Sequence, residues 1–285
     1  MSNILLLTDF TTTGQHAVKF GHHLAVQLRS NITLCNVMDI QAEIPQFEVP
    51  VLPFLDYNYM VEKSEKDLHQ LKAHLDKRSA SQSFQPQINC LEEVGRFTDT
   101  VFRIAVNHQA ELVILGEHQR KGLSEWVLSN HVKELIEVAK IPIIIIPSGE
   151  KIKKIEKIAV ALKHPEKKKK ELNQIYKLVE RLNAELFIFR VEENNAEKEM
   201  AEKARINTIL KELKNTIKAH LRTAPNGPVE KQLRSLSESE KIDLMVMIHQ
   251  KRGFFSDMFI RSHSQNMLGQ TTIPLMIVQS HPNAT

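Results

Sequence analysis

Two apolar segments of this chain recur 132 residues further along, and two others recur at a spacing of 154, so the sequence is one structural plan written twice. "ELVILGEH" (Glu111 to His118) aligns with "DLMVMIHQ" (Asp243 to Gln250), and "IPIIIIP" (Ile141 to Pro147) with "IPLMIVQ" (Ile273 to Gln279), both at 132. "ILLLTD" (Ile4 to Asp9) aligns with "IAVALK" (Ile158 to Lys163), and "ITLCNV" (Ile32 to Val37) with "LFIFRV" (Leu186 to Val191), both at 154. Equal offsets over separate segments argue for duplication rather than chance. The second copy is 22 residues shorter, and the loss falls in its middle.

Each matched segment is a short, nearly continuous apolar run, as expected of strands buried on both faces of a parallel sheet. Between them lie helical stripes: Ala17, Phe20, Gly21, Leu24, Ala25 and Leu28 in the first copy, and Leu172, Ile175, Leu178, Val179 and Leu182 in the second. Val101, Ile104 and Ala105, then Val132, Leu135, Ile136 and Ala139, predict two more helices. Strand alternating with helix gives βαβ units with right-handed crossovers. The fold class is therefore α/β, with two Rossmann-like domains, each a five-stranded mainly parallel sheet flanked by helices. The expected domains are residues 1–149 and 150–285, divided in the Lys-rich stretch around Ser148 to Glu156. The first copy's extra residues fall at about 41–60, where Pro45, Pro50 and Pro53 exclude a regular helix through the first part. Its aromatic residues suit either a lid over a pocket or a packing contact.

At 285 residues the chain has room for two ordinary cores, and 42% apolar with 25% charged residues is the balance of a folded globular protein. The longest apolar run, Ile141 to Pro147, is far short of the roughly 20 residues that span a bilayer. The start "MSNILLLTD" lacks a basic region and a cleavage site, so a cytoplasmic location is expected. Cys35 and Cys90 form no CxxC pair and read as packed thiols. The net charge of +4 conceals an asymmetry: residues 1–150 hold 13 Lys+Arg against 18 Asp+Glu, leaving 25 against 16 for the remainder. The Lys runs read as solvated surface, so no nucleic-acid partner is expected.

The segment from Leu112 to Pro147 carries a glycine after the strand, a polar loop, and Ser129-Asn130 at the start of a helix. It resembles the closing unit of the universal stress protein family, whose ATP-binding members carry G-x2-G-x9-G-(S/T/N) there. Such glycines let the backbone approach phosphates, and the helix N-terminus favours an anion. Carried over by position, Gly116 takes the first glycine, Gln119 stands in place of the second, Ser129 in place of the third, and Asn130 fills the last place. The resemblance also implies that Asp9 lies by the adenosine and Val37 beside the adenine. A site so composed implies ATP, ADP or AMP held by the first domain, with Mg only as its companion.

In the second copy Ile248, Lys251 and Arg261 take the glycine places, Ser262 alone fits, and Lys163 replaces the Asp, so the site there reads as degenerate. Lys251, Arg252 and Arg261 read as exposed basic residues or as a receptor for another anion. His131 and His263 occupy equivalent places, either beside the ligand sites or simply in the first turn of a helix. No metal site is expected from His22-His23 or His69 with His74. There is no G-x-S-x-G elbow and no Walker A motif, so no catalytic residues are assigned. The resemblance implies a bacterial stress-response module that acts by binding and association, or an interaction scaffold that has lost nucleotide, with slow ATP hydrolysis the remotest alternative. It also implies domains paired antiparallel through their last strands as a pseudo-dimer, with a homodimer as a further association.

Overall fold

The computed structural model describes residues 2–39, 53–117, 129–149, 152–162, 169–192, 196–213, 216–249 and 273–280. The first copy runs β1 (Asn3–Leu7), α1 (Thr12–Leu28), β2 (Asn31–Met38), α2 (Pro53–Ser79), β3 (Ile88–Val94), α3 (Phe97–Asn107), β4 (Ala110–Glu117), α4 (Asn130–Val138) and β5 (Ile143–Pro147). The second runs β6 (Lys157–Ala161), α5 (Lys169–Leu182), β7 (Glu185–Val191), α6 (Ala196–Leu213), β8 (Ala219–Ala224), α7 (Val229–Glu240), β9 (Leu244–His249) and β10 (Leu275–Gln279). The strands fall where the repeats put them.

All ten strands join one sheet in the order β3-β2-β1-β4-β5-β10-β9-β6-β7-β8, so the second half mirrors the first. Every pair within a copy is parallel. The two copies meet at β5 and β10, which are antiparallel, with Leu275 opposite Ile145, Met276 opposite Ile144 and Ile277 opposite Ile143. This is the expected intramolecular pseudo-dimer. The central strands β5, β9 and β10 are buried along their whole length, whereas the outermost strands, β3 and β8, are mostly half-exposed. An apolar run without alternation belongs inside a sheet covered on both faces.

Each face of the sheet carries one core that runs through both copies. On one face α1, α2, α5 and α6 contribute Leu24, Leu75, Ile175 and Ile206; on the other α3, α4 and α7 contribute Ile104, Leu135 and Leu233. Helix ends repeat as faithfully as strands. Arg29 and Asn183 adopt left-handed φ at the ends of α1 and α5, and Gln109 and Lys241 do so after α3 and α7, at the same offsets of 154 and 132. There the chain reverses sharply, and the freed N–H groups turn back to the last helical carbonyls, as Ser30 does to Ala25 and Ala184 to Val179.

The extra length of the first copy lies between β2 and β3, and its later part is helical: α2 has 27 residues against 18 in α6. Pro53 is the first helical residue, where its missing N–H costs nothing, so the helix takes in the stretch up to Met60. Tyr59 and Met60 are exposed on it, not packed. The portion at 40–52, including Pro45 and Pro50, lies outside the described residues.

Candidate functional site

In the first copy the strand order reverses between β1 and β4, and the carboxyl edge at that point is where an open α/β sheet forms a crevice. Asp9, Gly116, Ser129 and Asn130 all belong to segments that leave or enter this edge, and Val37 is at the carboxyl end of adjacent β2. Gln119 lies outside the described residues, as do Trp126 and the rest of the loop from residue 118 to 128.

Asp9 is exposed and braces the turn into α1. Its Oδ1 accepts from the Thr11 N–H at 3.1 Å and from the Thr11 hydroxyl at 2.6 Å. Thr11 in turn caps α1 by accepting from the Gly14 N–H at 3.1 Å. Between them Phe10 has φ of 60°, a left-handed conformation that a bulky side chain rarely adopts. Thr8 fixes the same turn from below. Its hydroxyl accepts from the Phe10 N–H at 3.0 Å and its carbonyl from Asn36 Nδ2 at 2.7 Å, while Ser64 of α2 donates to Asn36 Oδ1 at 3.1 Å. The whole turn is held rigid, with Asp9 at its rim.

Gly116 has a packing reason to be glycine. A Cβ there would stand 2.7 Å from the Thr13 carbonyl oxygen and 3.1 Å from Thr13 Cγ2, so its absence lets α1 seat its first turn directly on β4. Val37 is half-buried against the core face that holds Cys35 and Val101. Ser129 is the N-cap of α4, its hydroxyl accepting from the Val132 N–H at 3.4 Å, and Asn130 is the first helical residue.

Sequence reasoning missed Glu117. It is the last residue of β4, only 5% exposed, and its Oε1 accepts from the Ser129 N–H at 2.9 Å while its Oε2 stands 3.4 Å from the Ser129 hydroxyl. The signal was present in "LGEH": an acidic residue where an apolar strand ends, twelve positions before a helix cap. A carboxylate on the first turn of a helix is stabilised by the unpaired N–H groups and the helix dipole.

His131 meets Phe97 of α3 edge-on, with ring centroids 6.0 Å apart, which is a helix–helix contact. His263 lies outside the described residues. No group of three or more metal-ligating side chains occurs among the described residues. Burial pushes the Cys35 thiol up to about 12 and raises that of Cys90 as well, so neither offers a thiolate near neutral pH.

The second copy is built differently at the matching edge. Ile248, in the place of Gly116, is buried in the core. Arg190, in the place of Asn36, forms a bidentate ion pair with Glu199 of α6, with Nη2 to Oε2 at 2.7 Å and a second bond from Nη1 to Oε1. Its guanidinium is almost wholly buried. Lys163, Lys251, Arg252, Arg261 and Ser262 lie outside the described residues. A cleft of 770 Å³ opens in this copy at the opposite, amino-terminal edge of the strands, lined by Lys154, Glu156, Asn183, Lys218 and His220 among others. None of the described candidate binding residues lines it.

Among solved structures the chain is similar over 97% of its length to a universal stress protein from Archaeoglobus fulgidus, at 14% identity, a TM-score of 0.75 and 98% coverage of that chain. A functionally unknown protein from Pseudomonas aeruginosa matches over 98% of this chain and 92% of its own, at 11% identity and a TM-score of 0.58. The cytoplasmic domain of a prokaryotic cation chloride cotransporter matches over 97% and 94%, at 8% identity and a TM-score of 0.51. At such identities the likeness is one of fold. No curated protein sequence matches the chain. The model of the universal stress protein family matches residues 1–147 and again 154–279, and this chain belongs to that family, with two tandem copies of its domain.

Proposed function

We propose that this chain is a cytoplasmic stress-response module that works by binding and association rather than by turnover, with residues 1–149 as the domain that takes an adenine nucleotide and 150–285 as its degenerate partner. The observation that carries this reading is the carboxyl edge of the first copy, where Asp9 stands at the rim of a braced turn and the segments bearing Gly116 and the N-terminus of α4 reach the same sheet edge. Asp9 and Val37 would face the nucleoside, and the Ser129–Asn130 turn and the loop bearing Gln119 would lie toward the phosphates. Any Mg would arrive with the nucleotide. In the second copy the place of Gly116 is taken by Ile248, which is buried in the core.

Titration of the full chain with millimolar ATP by calorimetry tests the reading, and absence of any heat would refute it. Where binding is found, Asp9→Ala is expected to weaken it about tenfold or more, as loss of one charged hydrogen-bonding partner does. Lys163→Ala should leave it unchanged. Equal effects of the two substitutions would mean that the ligand is not in the first copy.

The competing reading, an interaction scaffold without nucleotide, draws on the unlike charge of the halves and on the exposed Tyr59, Met60 and Met200 of α2 and α6. It is favoured if freshly purified protein releases no nucleotide on denaturation and millimolar ATP gives no heat.

A further inference from the structure

We propose that Asn36 positions Asp9 for the adenine site of the first domain, and that Ser64, by holding Asn36, makes α2 part of that site. The inference rests on the reading that this edge takes an adenine nucleotide, and it names what sets the geometry there. Asn36 comes one residue before Val37 in β2, as Thr8 comes one residue before Asp9. Successive strand residues point to opposite faces: Val37 packs with the core under α3 and α4, and Asn36 meets α2 on the other side. Thr8, Asn36 and Ser64 are 5%, 8% and 4% exposed. A primary amide buried that deeply costs free energy unless both its ends are bonded, and both are. Its Nδ2 donates to the Thr8 carbonyl at 2.7 Å, and its Oδ1 accepts from the Ser64 hydroxyl at 3.1 Å. A carbonyl can only accept, so the Thr8 bond fixes which way the amide faces.

Two other buried helical serines bond differently. Ser79 of α2 and Ser237 of α7 donate back to carbonyls of their own helices, Leu75 at 3.2 Å and Leu233 at 2.7 Å. Ser64 donates across to the sheet instead. From Asn36 the bonds run on into the turn that carries Asp9: the Thr8 hydroxyl accepts from the Phe10 N–H at 3.0 Å, and Asp9 Oδ1 from the Thr11 N–H at 3.1 Å. Phe10 sits between them with φ of 60°, and a bulky residue keeps such a conformation only where its surroundings hold it. Loss of the Asn36 amide frees the Thr8 carbonyl, lets Phe10 relax and carries the Asp9 carboxylate out of place. In the second copy the place of Asn36 is held by Arg190, which forms two bonds to Glu199 of α6. A buried polar link from strand to following helix is thus common to both copies, and in the first it continues through Thr8 to the Asp9 turn.

The test is calorimetry of the full chain with Mg-ATP, on the unaltered protein, on Ser64→Ala, Asn36→Ala and Asp9→Ala, and on Asp9→Ala combined with Asn36→Ala. Ser64→Ala and Asn36→Ala are each expected to weaken binding about fivefold, as loss of a buried hydrogen bond does. The combined variant should bind no more weakly than Asp9→Ala alone, because Asn36 acts through Asp9. A role confined to holding the fold would instead lower the urea midpoint and leave affinity alone, or add its loss to that of Asp9. By reciprocity, ATP should slow amide hydrogen exchange in α2 around Ser64 about fivefold in the unaltered protein, and less in Ser64→Ala. Unaltered affinity in Ser64→Ala or Asn36→Ala, losses that add to that of Asp9→Ala, or exchange in α2 untouched by ATP would overturn the inference while leaving the adenine site standing. Where Asn36→Ala does not fold, Ser64→Ala, which leaves the Asn36 amide in place, decides alone and in combination with Asp9→Ala. If the unaltered protein binds no ATP, the site itself is refuted and this inference with it.

Discussion

The backbone of α1 lies against the position where Gly116 would carry a Cβ. Gly116 reads in the sequence as a glycine that lets phosphates approach, yet the nearest neighbour of its missing Cβ is the Thr13 carbonyl oxygen, 2.7 Å away. Backbone cannot swing aside as a side chain can. Gly116→Ala is therefore expected to lower stability by about 1–3 kcal/mol through overpacking, whether or not a ligand binds. Urea denaturation without nucleotide checks this, and an unchanged midpoint would return Gly116 to a purely ligand-binding role. Arg190 was visible only as an oddity in the apolar run "LFIFRV", since its partner Glu199 is on another element, α6. The Arg190 side chain is 3% exposed and that of Glu199 13%. Removing one member of such a pair strands the other, so Glu199→Ala is expected to cost about 3 kcal/mol or more, and replacing both by apolar residues much less. Denaturant midpoints of the single and double variants decide it. A double variant as unstable as the single one would show that the pair is worth more than the packing that replaces it.

At the scale of elements, strand positions were readable because buried parallel strands are written as apolar runs, whereas helix α1 hid its most unusual property. Its stripe of Ala17, Leu24 and Leu28 was plain, but nothing in the spacing shows that α2 closes over His22, which is 3% exposed. Burial, with the Arg78 guanidinium beside it, pushes the His22 pKa down from 6.5 to about 4, against an opposing pull from Asp76 and a further push from His23. His16 and His23 on the same helix are lowered as well, chiefly by burial, with help from Lys19 and Arg78 respectively. The sign follows from which state holds the proton. Between pH 6.5 and 4 the unfolded chain protonates His22 and the folded chain does not, so stability falls as pH drops through that window and levels off below it. The loss attributable to His22 is on the order of 3 kcal/mol. His22→Gln should remove most of that slope. Urea midpoints at pH 7.5, 6 and 5 measure it, and parallel pH profiles for the two proteins would show that the loss has another source. The long α2 that buries His22 is the same element that the prolines at 45 and 50 concealed, because a helix starting at Pro53 takes up a stretch that looks like irregular insertion.

On the scale of the whole molecule, duplication was the most legible feature, and the sheet shows what it does for the fold. Two open sheets each end in an apolar strand, and placing β5 against β10 removes both edges at once. Side chains then fasten the join across the two copies. Arg181 of α5 donates to the Leu28 carbonyl at 3.1 Å, to Ser2 and Ser30 hydroxyls at 2.9 and 3.2 Å, and to Glu111 at 2.9 Å. Gln279 at the end of β10 donates to the Ile136 carbonyl of α4 at 2.6 Å, and Gln27 accepts from the Ile155 N–H at 3.4 Å. None of these partners could be paired from the sequence, since each contact joins residues at least 70 positions apart. Both cores cross the join without a break, so the two copies should unfold together in one transition. Severing them has a definite consequence. Residues 1–149 alone would present β5, with Ile143 to Ile146 now unpaired on one side, as an apolar edge still capable of accepting a strand. A second copy of the same fragment offers the matching edge in the antiparallel sense that β10 supplies in the intact chain. Light scattering on the purified fragment should therefore find dimers or larger aggregates. A fragment that stays monomeric at high concentration would mean that the edge is shielded by its own copy, and that the join depends on the Arg181 and Gln279 contacts rather than on the strands.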